Sequence, residues 1–440
     1  MAAAGSQTAM EERVVAAIQD GRDELVELAR DLVKLDTTAR ELGDPPRDEE
    51  RLQRLLAARL TAAGAAVDLW EPPPTTGGRF LPAGLDFTGR PQLAARRAGR
   101  GGGRSLLLLG HIDAVSAEPA ELWSSAPFAA EVRDGRIYGR GIADMKAGVA
   151  GMVFALEVLR REGVELAGDV VTCTVTDEES TGAGGWAAVE HGVRADAGVC
   201  AEPTDFDVWV ACRGSLTPII TTRGRPGHAE MSQPHWRDGG AVNAIEKMRA
   251  VLGAIERLRD DWRLRPDMRH PLVSPGDIVP TVIQGGEWEV TYPASCRLVC
   301  EVVYPPGCVG EDGTARGLQD EIAAVVDAAA ASDPWLREHP LEWEWDCEMV
   351  PAEVSAGHPL VETALAAAAH AGRTGAVSGF DSWHDGATFT RVGGTPTVCF
   401  GPGRTETAHA VDEWVAVDDL VAFSQALALL VMRWCGVGKE

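Results

Sequence analysis

Residues 105–115 read SLLLLGHIDAV, an unbroken apolar run followed by Gly110, His111 and Asp113. A run of this kind is a strand buried on both faces, so it requires a sheet with helices packed on each side. His111 then falls just past the carboxyl end of that strand, where open α/β sheets place their sites. One short segment thus limits both the layer architecture and the position of any chemistry.

At 440 residues the chain exceeds one ordinary core, and two domains are expected. The net charge of -25 repels phosphate backbones and anionic lipid surfaces, so neither nucleic acid nor a membrane is an expected partner. No apolar run approaches the roughly 18 residues of a membrane span. Glu11 and Glu12 stand where a secretory signal would need a basic start and an apolar stretch. Nine cysteines make an odd number, none forms a CxxC pair, and most lie in apolar runs such as VVTCTV, so a reducing, cytoplasmic location is expected.

Helical spacing marks residues 8–34 and 49–63, strands are expected at 66–70, 105–109, 170–175 and 198–201, and a helix at 145–162. The alternation predicts an α/β layer. From Cys212 the pattern becomes strand 216–222, helix 241–258, strand 278–283 continuing near Trp288, strand 296–303, helix 318–331 and strand 341–347. That βαββαβ series is a self-sufficient, ferredoxin-like unit. A helix near 359–371, a strand at 395–400 and a helix at 417–434 resume the first pattern. The expected division is therefore a discontinuous domain of 1–211 and 351–440, with 212–350 inserted.

Metal-ligating residues recur in loops after the apolar strands. Asp144 lies in GRGIADMKAG before the expected helix, where N-capping is its alternative reading. Asp177, Glu178 and Glu179 follow VVTCTVT; three adjacent carboxylates repel one another unless a multivalent cation is near. Glu202 follows the next strand in CAEPTD, and His409 lies in FGPGRTETAHAVDEWV after the last.

Together with WSSAPFAAEVRDGRIYGRGIADMKAG, these segments resemble the zinc hydrolase family of acetylornithine deacetylase, succinyl-diaminopimelate desuccinylase, aminoacylase and carboxypeptidase G, from about Leu32 to the C-terminal helix. The resemblance implies two Zn²⁺ ions, replaceable by Co²⁺ or Mn²⁺, with Asp144 bridging them and His111, Glu179, Glu202 and His409 as the other ligands. It implies Asp113 as the group that orients His111, and Glu178 as the general base. It further implies that 212–350 is a lid used for homodimerisation, and that His228 in RGRPGHAEMSQP stabilises the oxyanion, often from the partner subunit. Asp385 matches a pocket acid, while His384 occupies a place often held by a small residue. The family's Asn and Arg that bind a substrate α-carboxylate are replaced here by Val290 and by Val303 or Tyr304, leaving Arg213 and Arg404 as anion partners. The expected activity is N-deacylation of a small N-acyl amino acid or amine. A dipeptidase or carboxypeptidase on the same scaffold is the alternative, and an inactive binding module the remote one.

Overall fold

The computed structural model describes residues 2–39, 45–78, 80–346 and 348–438. Among these, a nine-stranded mixed sheet runs in the order Ala66–Trp70, Gln92–Arg97, Val170–Val175, Leu106–His111, Ala197–Cys200, Thr397–Cys399, Val208–Cys212 and Ala352–Glu353, with Val377–Phe380 also paired to Val208–Cys212. Leu106–His111 lies between two parallel neighbours, Val170–Val175 and Ala197–Cys200, and is buried at every position. Its leucines have no solvent-facing side, as the uninterrupted apolar run requires.

The helix Ala147–Arg161 is buried on all sides through Leu159, because it is pressed between the sheet and the C-terminal helix Val417–Cys435. Two glycines permit this. A Cβ on Gly148 would lie 2.1 Å from the Ala201 carbonyl oxygen, and one on Gly151 would lie 2.6 Å from the Phe423 ring. The segment expected as one helix over 8–34 is two, Ala2–Asp20 and Arg22–Val33. They part at Gly21, where a side chain would strike Phe154 at 2.6 Å.

The chain leaves this sheet at Cys212 and re-enters it at Ala352. Between them lies a separate antiparallel sheet in the order Asp277–Gly285, Ser295–Tyr304, Pro218–Arg223 and Glu342–Trp345, with Gly214–Leu216 added beside the end of Ser295–Tyr304. Burial along Ser295–Tyr304 alternates strictly. Leu298, Cys300 and Val302 enter a core with Met248, Ile255 and Trp262 of the helix Ala244–Trp262 and Ile322 of Arg316–Ala330, while Glu301 and Val303 face the other way. The strand expected to continue near Trp288 stops at Gly285; Gly286 takes φ 81° and turns the chain, and Trp288 is exposed. Cys347, placed by the sequence at the end of the last lid strand, lies outside the described residues.

Candidate metal centre and cleft

Five loops at one end of the main sheet bring the expected ligands together. His111 Nε2 lies 3.1 Å from Asp144 Oδ1, and His409 Nε2 lies 3.4 Å from Asp144 Oδ2 and 3.1 Å from Glu179 Oε2. Two three-donor groups result, His111 with Asp144 and Glu202, and Asp144 with Glu179 and His409. They share Asp144, so one carboxylate faces both.

The conformation of Asp144 differs from a helix cap. Regular helix begins only at Ala147, and Asp144 (φ -117°, ψ 92°) and Met145 (φ -132°, ψ 33°) form an irregular turn before it. The Asp144 side chain caps nothing, because both its oxygens are directed at the two histidines. The turn is held by a residue the motifs did not single out. Glu413 Oε1 accepts from the Ala143 and Asp144 amides at 2.8 and 3.2 Å, and its Oε2 accepts from the Gly141 amide at 3.0 Å and Arg140 Nη1 at 2.7 Å. Burial pushes Glu413 up to about 7, while the Gly141 amide and Arg140 pull it down. Its signal was present in the AHAVDEWV segment, four residues after His409.

Asp113 acts on His111 through its main chain: His111 Nδ1 lies 3.0 Å from the Asp113 carbonyl oxygen and 3.6 Å from Oδ1. The Asp113 carboxylate instead accepts from the amides of Glu178 and Glu179, at 3.3 and 3.0 Å. It therefore sets the turn that carries the general-base candidate and a ligand. That turn opens with Asp177 at φ 70°, a conformation that Asp tolerates better than most residues. Glu178 Oε2 approaches His111 Nε2 to 4.0 Å without entering either three-donor group.

The electrostatics of the cluster suit a cation. Burial, together with Glu202 and Glu179, raises Glu178 well above the usual carboxylate range against the pull of His111. Burial also raises Glu202, with Cys200 and Asp144 adding to it. Burial opposes charge on His111, yet Glu178, Asp113 and Asp144 outweigh it and hold the imidazole high. Hydrogen bonds that His409 donates to Asp144 and Glu179 lift it to about 10. Burial opposes charge on Asp144, but hydrogen bonds and charge from His111 and His409 lower it instead, so the two imidazoles are held around a favoured carboxylate, as ligands that share a cation would be. Glu179 Oε1 is buried without a hydrogen-bond partner, as an oxygen reserved for a metal would be. Each group combines one imidazole with carboxylates, a donor set that fits a pair of divalent cations.

Over this floor lies a cleft of about 290 Å³, walled by Trp209, Arg213, Phe380, Asp381 and Trp383 and by Ser215, Glu301 and Val303 of the lid. The remaining expected site residues lie elsewhere. His228 is exposed on a lid loop whose strand-like pairing is with Thr291, and it does not line this cleft. Arg404 turns outward to Asp205 at 3.1 Å. His384 points into the core beside Cys200 and Cys399, where burial lowers it to about 4; a second large side chain there is accommodated by packing and not by the cleft. Asp385 is buried with neither oxygen hydrogen-bonded, and burial raises it to about 8. Eight of the nine cysteines are described, and all eight are free. Among the described residues no helix is long and apolar enough to cross a membrane.

A shared-carboxylate cluster at the carboxyl end of a mixed sheet, roofed by an inserted antiparallel lid, defines a dinuclear metallohydrolase acting on amide or peptide bonds. Residues 107–433 match the pattern of the peptidase family M20/M25/M40, and the chain belongs to that family. It is 28% identical over 447 residues to an N-formyl-4-amino-5-aminomethyl-2-methylpyrimidine deformylase of Bacillus subtilis, covering 96% of this chain and 97% of that protein. It is also 28% identical over 355 residues to a succinyl-diaminopimelate desuccinylase of Thioalkalivibrio sulfidiphilus, covering 75% of this chain and 84% of the other. In fold it resembles the aminopeptidase PepT of Bacillus cereus, with a TM-score of 0.69 at 18% identity, over 94% of this chain and 99% of that one.

Proposed function

We propose that the protein is a zinc-dependent N-deacylase that removes a formyl or other small acyl group from an amine lacking a free α-carboxylate. The observation that carries this reading is the placement of Glu178, half-buried 4.0 Å from His111 yet outside both ligand groups, beside a cleft whose one wall cation among the described residues, Arg213, is turned to main-chain carbonyls. His111 and Glu202 would hold one divalent cation, Glu179 and His409 the other, and Asp144 both. When bound, the pair supplies Lewis acidity to the amide carbonyl and to the attacking water. Glu178 accepts a proton from that water as the new C–O bond forms, and delivers it to the amine nitrogen as the C–N bond breaks. Its raised affinity for a proton suits both halves of that transfer. Val303 lines the cleft where a carboxylate-binding cation was sought, and Arg213 is already engaged: Nε and Nη2 donate to the Asp381 carbonyl, and Nη1 to that of Pro275 at 3.3 Å. The length-spanning similarity to a deformylase supports formyl as the acyl group.

A second copy completes the site in this reading. The lid strand Asp277–Gly285 is an edge, with Val282 and Ile283 exposed on it and Ile245 and Trp288 exposed nearby, surface that a homodimer would cover. His228, which its own chain keeps away from the cluster, would then serve the partner's oxyanion.

The test is hydrolysis of matched N-formyl, N-acetyl, N-succinyl and dipeptide substrates by the zinc-loaded enzyme. Formyl or acetyl amines should be cleaved with the highest kcat/KM, and amidating the carboxylate of an N-formyl amino acid should change it less than about tenfold. Preferential cleavage of dipeptides, or a loss of about 100-fold on amidation, would refute the proposal.

A further inference from the structure

The lid side of the cleft carries an acid where the reaction needs none. Glu301 lies on the face of Ser295–Tyr304 opposite the lid core, and it lines the cleft with Ser215 and Val303. Ser215 Oγ donates to Glu301 Oε1 at 2.8 Å, which fixes the carboxylate but leaves it acceptor capacity, since a carboxylate has about four lone-pair sites. The other lining cation and anion are poorly placed to compete. Arg213 gives its guanidinium to main-chain carbonyls, and Asp381 is occupied by the amide and hydroxyl of Ser274 at 2.6 and 2.5 Å. Burial raises Glu301, opposed by Ser215, Thr217 and Arg213, so its charged form is favoured further by a ligand that donates hydrogen bonds to it. The cleft is also lined by flat apolar surface: the rings of Trp209 and Phe380 stack 4.4 Å apart at 5° to each other, and Trp383 lines it too. The cleft, at about 290 Å³, has room for one ring with a short acyl group.

Building on the N-deacylase reading, we infer that Glu301 is a specificity-determining residue, which selects an amine bearing a planar nitrogen heteroaromatic ring whose amino or protonated ring nitrogen donates to its carboxylate while the ring lies against the Phe380 wall. A flat, donor-bearing ring satisfies both features at once. An aliphatic ammonium would meet the acid but leave the aromatic wall uncovered, and a plain phenyl ring would cover the wall but add no donor to the half-buried carboxylate beyond those of Ser215 and Thr217.

The experiment compares the N-formyl derivatives of 4-amino-5-(aminomethyl)pyrimidine and of benzylamine on the zinc-loaded wild type and on Glu301→Gln. The wild type should favour the pyrimidine by about 10–100-fold in kcat/KM, and Glu301→Gln should remove most of that preference, chiefly through KM, as expected for loss of a charge-assisted hydrogen bond. Hydrolysis of N-formylbenzylamine should change less than about threefold, a control a merely structural role would not satisfy. Equal wild-type rates on the two substrates, or an equal loss on both in the variant, overturns the inference. Should neither formamide be hydrolysed, the deacylase reading fails. Calorimetric binding of the two free amines to both zinc-loaded proteins then decides on Glu301 alone: weaker binding of only the pyrimidine amine by the variant supports it, and unchanged binding overturns it. Zinc content and thermal melting equal to wild type establish that the variant is folded.

Discussion

Leu106–His111 is covered by protein on both faces, whereas Ser295–Tyr304 in the lid is covered on one. The first strand and its parallel neighbours end in His111, Glu178, Glu179 and Glu202, groups whose positions are fixed by amides, carbonyls and each other. The second presents Glu301 and Val303 from a face that no core residue constrains. A substitution in the first region therefore disturbs several buried partners at once, while one on the open face of the lid alters what the cleft accepts and leaves the fold intact. On the proposed reading, chemistry and selectivity are in this way carried by surfaces with different tolerance to change.

The sharpest way to break this division is Glu178→Gln. It should lower kcat by about 10²–10⁴-fold with both metals retained, because on the proposed reading Glu178 transfers a proton and ligates neither metal; zinc analysis alongside turnover checks this, and metal loss in the variant would exchange the roles of Glu178 and Glu179. Next in size is Glu413→Gln, which leaves every ligand in place but weakens the clamp on the Asp144 turn. Metal affinity, measured by competition with a chelator, should fall about 10–100-fold, whereas Glu301→Gln should leave it unchanged.

A smaller effect concerns His384, also on the buried side. Its folded value of about 4 lies below the usual 6.5, so between those values the unfolded chain binds a proton that the native one refuses. Its contribution is complete above about pH 6.5 and is lost as the pH falls towards 4. His384→Asn should therefore reduce the stability lost between pH 7 and pH 4.5 by about 1–2 kcal/mol relative to wild type, read by urea unfolding at both pH values. An identical acid limb in the two proteins would show that His384 accepts a proton in place. Smallest in amplitude is the effect expected if the lid of one chain serves the other. Mixing inactive His228→Ala with inactive Glu178→Gln chains should restore about a quarter of wild-type activity after subunit exchange, since half of the dimers formed would hold one intact site. A fully active monomer would confine His228 to its own chain.

The same contrast governs what could be read from the sequence. His111, Asp144, Glu179, Glu202 and His409 were legible because each follows an apolar strand or opens a helix, and the end of a doubly buried strand leaves little choice of direction. The βαββαβ order of the lid was legible from periodicity alone. Gln92–Arg97 escaped because its arginines mimic a surface loop; in the fold Arg97 is buried and donates to the carbonyls of Leu156 and Val164. His384, Arg404 and Glu301 were misjudged or missed for another reason. Whether a side chain enters the cleft, the core or solvent depends on which strand faces which neighbour, and those neighbours are distant in the chain: Arg404 meets Asp205, and His384 meets Cys200.

The reach of Glu413 back to Gly141, Ala143 and Asp144 also sets an order of events during synthesis. Chains fold from the amino end as they emerge from the ribosome, and the lid can close its own core while the final segment is still untranslated. His409 and Glu413 arrive afterwards, so a nascent chain holds one imidazole of the two and an unclamped Asp144 turn. On the proposed ligand set, metal capture is thereby deferred until the chain has been translated past His409 and Glu413.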